Sequence, residues 1–293
     1  MKTYQKPFAF LVPLMCGLLV NPVAAYGSLV DYNTPGDLAA NFSLNDAGAG
    51  NKYSEVASGG LGGSRAIASG FPVDAVHTTA LFDQSSFSFA GAGDSVTVSQ
   101  FVLRQDDAGF PFEFSFMQLG LLQNTTGRLG IDIGPDSYVS LRVLSDTISP
   151  TGVFLQTEVK GSGDSARTQQ NTTGQTANLI AGNWYRFTAT FENLSATTVG
   201  ITGALEDWGT TGSAFQSTIL ELPASNPQSI VDLSGLAGST VLSDGQVWGG
   251  WRGFGAGGGA LYDDFAIVPE PTTLALFGAG ALVLLRRRRG YRG

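Results

Sequence analysis

The sequence predicts an all-β protein, a two-sheet antiparallel jelly-roll sandwich carried between an N-terminal signal peptide and a short apolar C-terminal transmembrane tail. Three observations predict it. Apolar and polar residues alternate with a period of two in several short runs, turn-forming clusters separate those runs at short intervals, and 40 glycines accompany a scarcity of long amphipathic helical patterns. No period of 20 to 50 residues recurs, which argues against a solenoid or a propeller.

The chain opens with Lys2 and Lys6 ahead of an apolar stretch from Phe8 to Val20, then Val23-Ala24-Ala25. Small residues at the two positions a signal peptidase reads place cleavage between Ala25 and Tyr26, so residues 1–25 are a secretory signal. Cys16, the only cysteine, lies inside that apolar run, with Pro13 and Met15 where a lipobox needs Leu and a small residue. The mature chain is therefore cysteine-free, without disulfides or a thiol nucleophile, and depends on core burial for stability.

Along the body, residues 26–267, alternation marks the strands. Phe112, Phe114 and Phe116 share one face of a run, as do the apolar positions of Tyr138 to Leu144 and Val153 to Val159. From Trp184 to Phe191, Tyr185, Phe187, Ala189 and Phe191 face one way and Trp184, Arg186, Thr188 and Thr190 the other, the mark of a half-buried antiparallel strand. Turns are expected at Asn33 to Gly36, Gly91 to Asp94, Asn124 to Gly127, Gly134 to Asp136, Gly161 to Asp164, Ala181 to Asn183 and Asp207 to Gly212. The stretch Leu222 to Ser243, with Pro223, Pro227 and several serines, reads as a long surface loop. About a dozen strands in one domain fit this spacing.

Residues 26 to 271 hold nine basic against 24 acidic residues, a net charge of −15. Such a surface repels nucleic acid and anionic lipid and offers oxygen ligands to a hard cation. Two pairs stand out as candidate calcium ligands: Asp106-Asp107, ahead of Gly109 in an expected loop, and Asp263-Asp264 at the opening of the last strand. His77 is the single histidine and no Gly-x-Ser-x-Gly elbow accompanies it, which removes triad chemistry and His-rich zinc sites. Trp248 and Trp251, set among glycines, are candidate sugar-stacking indoles, because an indole offers a flat apolar face with a polar edge. Their alternative placement is the core.

The chain closes on Val268-Pro269-Glu270-Pro271-Thr272, an apolar run from Thr273 to Leu285, and Arg286, Arg287, Arg288 and Arg289. The apolar run with Thr272 would span about 21 Å as a helix, against a hydrocarbon core of about 30 Å. Four arginines hold their end on the cytoplasmic side and put the body on the other face.

This order of Pro269-Glu270-Pro271, apolar run and arginine cluster resembles the PEP-CTERM sorting signal of bacteria that secrete exopolysaccharide. The resemblance covers residues 268–293. It implies processing by exosortase, an integral-membrane transpeptidase, with transient inner-membrane anchoring and release to the cell surface or extracellular matrix. The strings Gly182 to Phe187 and Tyr262 to Ile267 resemble those of laminin-G or concanavalin A-like sandwiches, with Gly59 to Arg65 and Asp94 to Leu103 as earlier strands. The glucanase branch of such folds carries its two carboxylates in a Glu-x-Asp-x-Glu or Glu-x-Asp-x-x-Glu string, and none is present. The expected function is thus a non-enzymatic, glycan-binding or structural protein of the exopolysaccharide matrix in biofilm. The alternative is a secreted polysaccharide hydrolase or lyase on a concanavalin A-like fold.

Overall fold

The computed structural model describes residues 27–45, 53–69, 78–105, 115–130, 135–145, 152–164, 167–170, 175–253 and 260–270. The cleavage pair Ala25 and Tyr26, His77, Asp106, Asp107, Phe112, Phe114, Pro271 and Arg286 to Arg289 lie outside them.

Strands dominate the described residues. In chain order they are β1 (Ser28–Val30), β2 (Phe42–Asn45), β3 (Tyr53–Val56), β4 (Ala66–Ser69), β5 (Thr79–Phe82), β6 (Phe87–Ser88), β7 (Ser95–Arg104), β8 (Ser115–Leu122) and β9 (Tyr138–Ser145). They continue as β10 (Gly152–Lys160), β11 (Arg167–Gln170), β12 (Ala177–Asn178), β13 (Trp184–Ser195), β14 (Thr198–Asp207), β15 (Ser217–Leu222), β16 (Ile230–Asp232), β17 (Gln246–Gly253) and β18 (Ala260–Glu270). The only α-helix among the described residues is the single turn α1 (Asp37–Asn41).

The strands form two antiparallel sheets. Sheet I has the order β15-β14-β13-β7-β18-β4-β3, with β1 added to β18 and β16 to β14. Sheet II has the order β11-β10-β9-β8-β17-β5-β2, with β12 on β10 and β6 on β17. Long non-local pairings such as β7 with β18 close sheet I across most of the chain's length.

The period of two sets the core. Tyr185, Phe187, Ala189 and Phe191 of β13 and Val96, Val98 and Val102 of β7 face inward from sheet I, meeting Met117, Leu119, Leu121, Val139, Leu141 and Val143 of sheet II. The β13 alternation read from the sequence is the one observed. In β18 the parity changes partway: Tyr262 is inward, and so are Phe265 and Ile267. A register shift between Asp263 and Ala266 inserts the extra residue, and Asp264 takes a left-handed conformation at φ 47° to make the bulge.

Two expectations are corrected. Gly59 to Arg65 is a turn between β3 and β4, because Gly59, Gly62 and Gly63 adopt φ of 101°, 64° and 87°, values that extended strands do not use. The stretch Leu222 to Ser243 is not a plain surface loop. Asn226 accepts a hydrogen bond from the Gln228 amide, capping a short 3₁₀ turn; β16 then pairs with β14, and Val231, Leu233 and Val241 are buried in the core.

Candidate functional site

The two expected tryptophans part company because they are three residues apart on a strand, an odd spacing that sends them to opposite faces. Trp251 faces inward, is 0% exposed, and stands with Tyr53 at 4.5 Å and Tyr262 at 4.7 Å between ring centroids. The expectation that it presents a stacking face is corrected: no sugar reaches this indole. Trp248 faces outward, half-buried against Leu81, Leu122, Leu129 and Tyr138.

Asp263 is also buried. Its Oδ2 accepts from the Leu61 amide at 2.8 Å and the Ser64 hydroxyl at 2.9 Å, and its Oδ1 accepts from the Asp264 amide at 2.9 Å. These bonds fix the glycine turn against β18 and take three of the roughly four acceptor sites of the carboxylate. Burial raises its carboxyl above the ordinary range despite those donors. Asp264 is half-buried, and burial together with the neighbouring Asp263 and Asp31 pushes it up to about 6. Among the described residues no three carboxylate, histidine or thiol groups converge as a metal site would require.

The outward face of sheet II holds a polar row that alternation alone would assign to solvent. Neighbouring strands bring Arg252, Gln118, Arg142 and Gln156 into one line across the sheet, with Ser140 and Glu158 in the next. Glu158 is almost fully buried and engaged on both oxygens: Oε1 accepts from the Tyr138 hydroxyl at 2.6 Å and Gln118 Nε2 at 3.2 Å, and Oε2 pairs with Arg142 Nη1 at 2.7 Å. Arg142 Nε also donates to Gln156 Oε1 at 2.6 Å. Arg252 donates Nη1 to the carbonyls of Leu129 and Gly130, both at 2.9 Å, and burial lowers its guanidinium to about 10. The segment around Leu129 thus sits on this face. Gly120 admits it, since a Cβ there would fall 2.6 Å from Leu129 Cδ2 and 2.8 Å from the Val139 carbonyl.

The outward face of sheet I is different. Just past the end of β14, the indole of Trp208 meets Phe101 edge-on at 5.2 Å and Phe215 edge-on at 6.2 Å. Its Nε1 donates to Glu206 Oε2 at 3.1 Å. Phe215 is 51% exposed, and Trp208 and Phe101 are half-buried. Arg186 lies opposite both Phe101 and Glu206 in the ladder, so the aromatic group is bordered by one cation and one carboxylate. The sequence offered Trp208 in a turn, with Phe215 seven residues further on, but gave no sign that Phe101 comes to it from more than a hundred residues away.

This aromatic group lies at one end of the sandwich. Trp208 follows Asp207, whose ladder neighbours run through Tyr185 and Val102 to Tyr262. Tyr262 and Glu270 are eight residues apart on β18, about 26 Å at ~3.3 Å per residue even before the bulge is allowed for. The sorting residues Pro269 and Glu270 are thus at the opposite end, where they pair with Val96 and Ser95 of β7.

No curated protein matches the chain. Among solved structures it is similar to an alginate lyase from Aplysia kurodai (14% identity, 84% of this chain and 99% of that one, TM-score 0.49). It is similar also to an alginate lyase from Chlorella virus (10%, 83% and 99%, 0.48) and to peanut lectin (12%, 84% and 99%, 0.44). At these identities and scores the likenesses carry no argument about activity. One family model matches, described as the PEP-CTERM protein-sorting motif, over residues 268–289. The chain therefore carries the exosortase processing signal on an all-β, two-sheet body, and that signal marks it for export to the cell surface or beyond.

Proposed function

We propose that the exported body, residues 26–267, is a single non-enzymatic domain that binds extracellular polysaccharide through the surface formed by Phe101, Trp208 and Phe215. The observation that carries this reading is the exposed aromatic group bordered by Glu206 and Arg186 at the end of the sandwich remote from the sorting motif. Aromatic rings stack on the C–H faces of sugars while charged neighbours take hydroxyl or carboxylate groups. A protein displayed by its other end presents that face outward. Trp248, half-buried on sheet II, is a second candidate contact.

The rival reading, a polysaccharide hydrolase or lyase, would draw on the polar row of sheet II. That row is closed on itself. Tyr138 donates its proton to Glu158, and burial with the adjacent carboxylate holds its phenol well above the ordinary value, so it is unsuited to act as a general base.

Affinity electrophoresis in gels containing the producer's own exopolysaccharide tests the proposal. Phe215→Ala is expected to lose retention several-fold with an unchanged melting temperature, since the ring is half exposed. Retention unaffected by both Phe215→Ala and Trp208→Ala would overturn this face as the site. Release of reducing ends or unsaturated sugars from the polymer would overturn the non-enzymatic reading.

A further inference from the structure

The matched sorting motif and the fold overlap. Residues 268–289 carry the motif, yet β18 runs through Glu270, and Val268, Pro269 and Glu270 stand in register with Thr97, Val96 and Ser95 of β7. Two of the three residues of Pro269-Glu270-Pro271 are therefore part of a strand that lies inside sheet I. Only Pro271 and Thr272 separate the last described strand residue from the apolar run beginning at Thr273, and two residues reach at most about 7 Å. The folded body accordingly stands directly against the membrane face, without a spacer that would present the motif to a membrane-embedded transpeptidase.

The pairing is one-sided at this point. β1 covers β18 only over Phe265 to Ile267, so Val268 to Glu270 are held by β7 alone. Pro269, which has no amide hydrogen, is tolerated there because its other edge has no partner strand. The end of a strand held on one edge opens more readily than its middle.

We propose that the fold withholds its own sorting motif: the transpeptidase acts only when Val268 to Glu270 are detached from β7, so processing competes with closure of the last strand. A protease-like active site needs its substrate segment extended and free, and a segment cannot lie in that site and in the β7 ladder together. Chains reach the transpeptidase before β18 zips to its end, or by fraying from that end.

Two variants of the full-length precursor, followed by pulse and chase in the producing cell, test this. In the first, a five-residue Gly-Ser insert between Val268 and Pro269 frees the motif and leaves the strand up to Val268 intact. The precursor is expected to be processed at least threefold faster than wild type. In the second, Thr97→Cys with Val268→Cys places cysteines at directly opposed positions of an otherwise cysteine-free mature chain, locking the strand end under oxidising conditions. Oxidised precursor is expected to accumulate, folded and uncut, and a permeant reductant to restore processing. If the oxidised, cross-linked precursor is cut at the wild-type rate, the proposal is overturned. It is equally overturned if the insert leaves the rate unchanged, a result that does not depend on how well the cysteine variant folds. A motif-null control, Pro269→Ala with Glu270→Ala, separates failure of sorting itself from failure of this inference.

Discussion

Replacing Asp264 by Asn should stabilise the body at neutral pH and remove a defined part of its pH dependence. Asp264 makes the β18 bulge at φ 47°, and Asn tolerates that left-handed conformation as well as Asp does, so the backbone is not disturbed. Its carboxyl is displaced from an ordinary 3.8 to about 6 by burial first and by Asp263 and Asp31 after it. The folded state thus binds the proton more tightly than the unfolded chain. The sign follows: the group's penalty is absent below about pH 4, grows as pH rises, and is complete above about pH 6. A displacement of about two pH units corresponds to ~3 kcal/mol if the site were wholly shielded. Asp264 is only half-buried, and solvent screening cuts this to ~1 kcal/mol. Urea unfolding of the exported body at pH 7.5 and pH 3.0 should show Asp264→Asn more stable by ~1 kcal/mol at the higher pH, with the gain gone at the lower. Comparing the two proteins at each pH cancels other carboxylates such as Glu55. Burial pushes that group up, but the Gly36 and Leu38 amides and Arg65 pull it below its ordinary value overall. A variant less stable than wild type at pH 7.5, or a gain that is the same at both pH values, would refute the argument.

Trp251→Ala should lower stability by about 3–5 kcal/mol, because it empties the space between Tyr53 and Tyr262; a loss under 1 kcal/mol by urea titration would contradict its place in the core. Glu158→Gln leaves the partly buried guanidinium of Arg142 without its counter-charge and should cost about 2 kcal/mol, read by the same titration, while retention on polysaccharide gels stays at the wild-type level once the protein is folded. Phe215→Ala should do the reverse, losing retention and keeping stability. The Gly-Ser insert ahead of Pro269 should speed processing without altering either property.

How far the sequence revealed this structure depends on whether a property is local. The strands β9, β10 and β13 were legible because alternation is written in consecutive residues, and the burial of Tyr185, Phe187, Ala189 and Phe191 followed directly. The switch of parity in β18 was not legible, because Asp263-Asp264 looks like a solvated pair until the glycine turn at Leu61 to Ser64 is seen hydrogen-bonded to it across some two hundred residues. Trp248 and Trp251 were rightly singled out as large rings among glycines, yet which of them faces the core depends on the partner strands of β17. The charged row of sheet II occupies positions that alternation marks as outward, and its burial under the Leu129 segment is a tertiary fact. Phe101 meets Trp208 only because β7, β13 and β14 pair in one ladder, whereas Phe215 follows Trp208 in the same connection, so the long-range half of the aromatic group carried no signal in the sequence.

The ends of the chain constrain where binding can occur. A Cβ built on Gly27 would fall 2.6 Å from Val268 Cγ2, so the start of the body, two residues past the expected signal cleavage, lies against the end of β18. Both membrane-directed segments therefore leave the sandwich from the same end. If either segment sits in the bilayer, as the expected topology has it, that end is shielded and the Trp208 end is not. A glycan site at the tethered end would be reachable only after processing, whereas one at the free end works before and after it. This yields a discriminating expectation: precursor held in the membrane by Pro269→Ala with Glu270→Ala should retain fluorescent exopolysaccharide on spheroplasts as well as processed protein does in solution, and adding Phe215→Ala should abolish that retention. Binding that appears only after release would move the site to the tethered end and away from Phe101, Trp208 and Phe215.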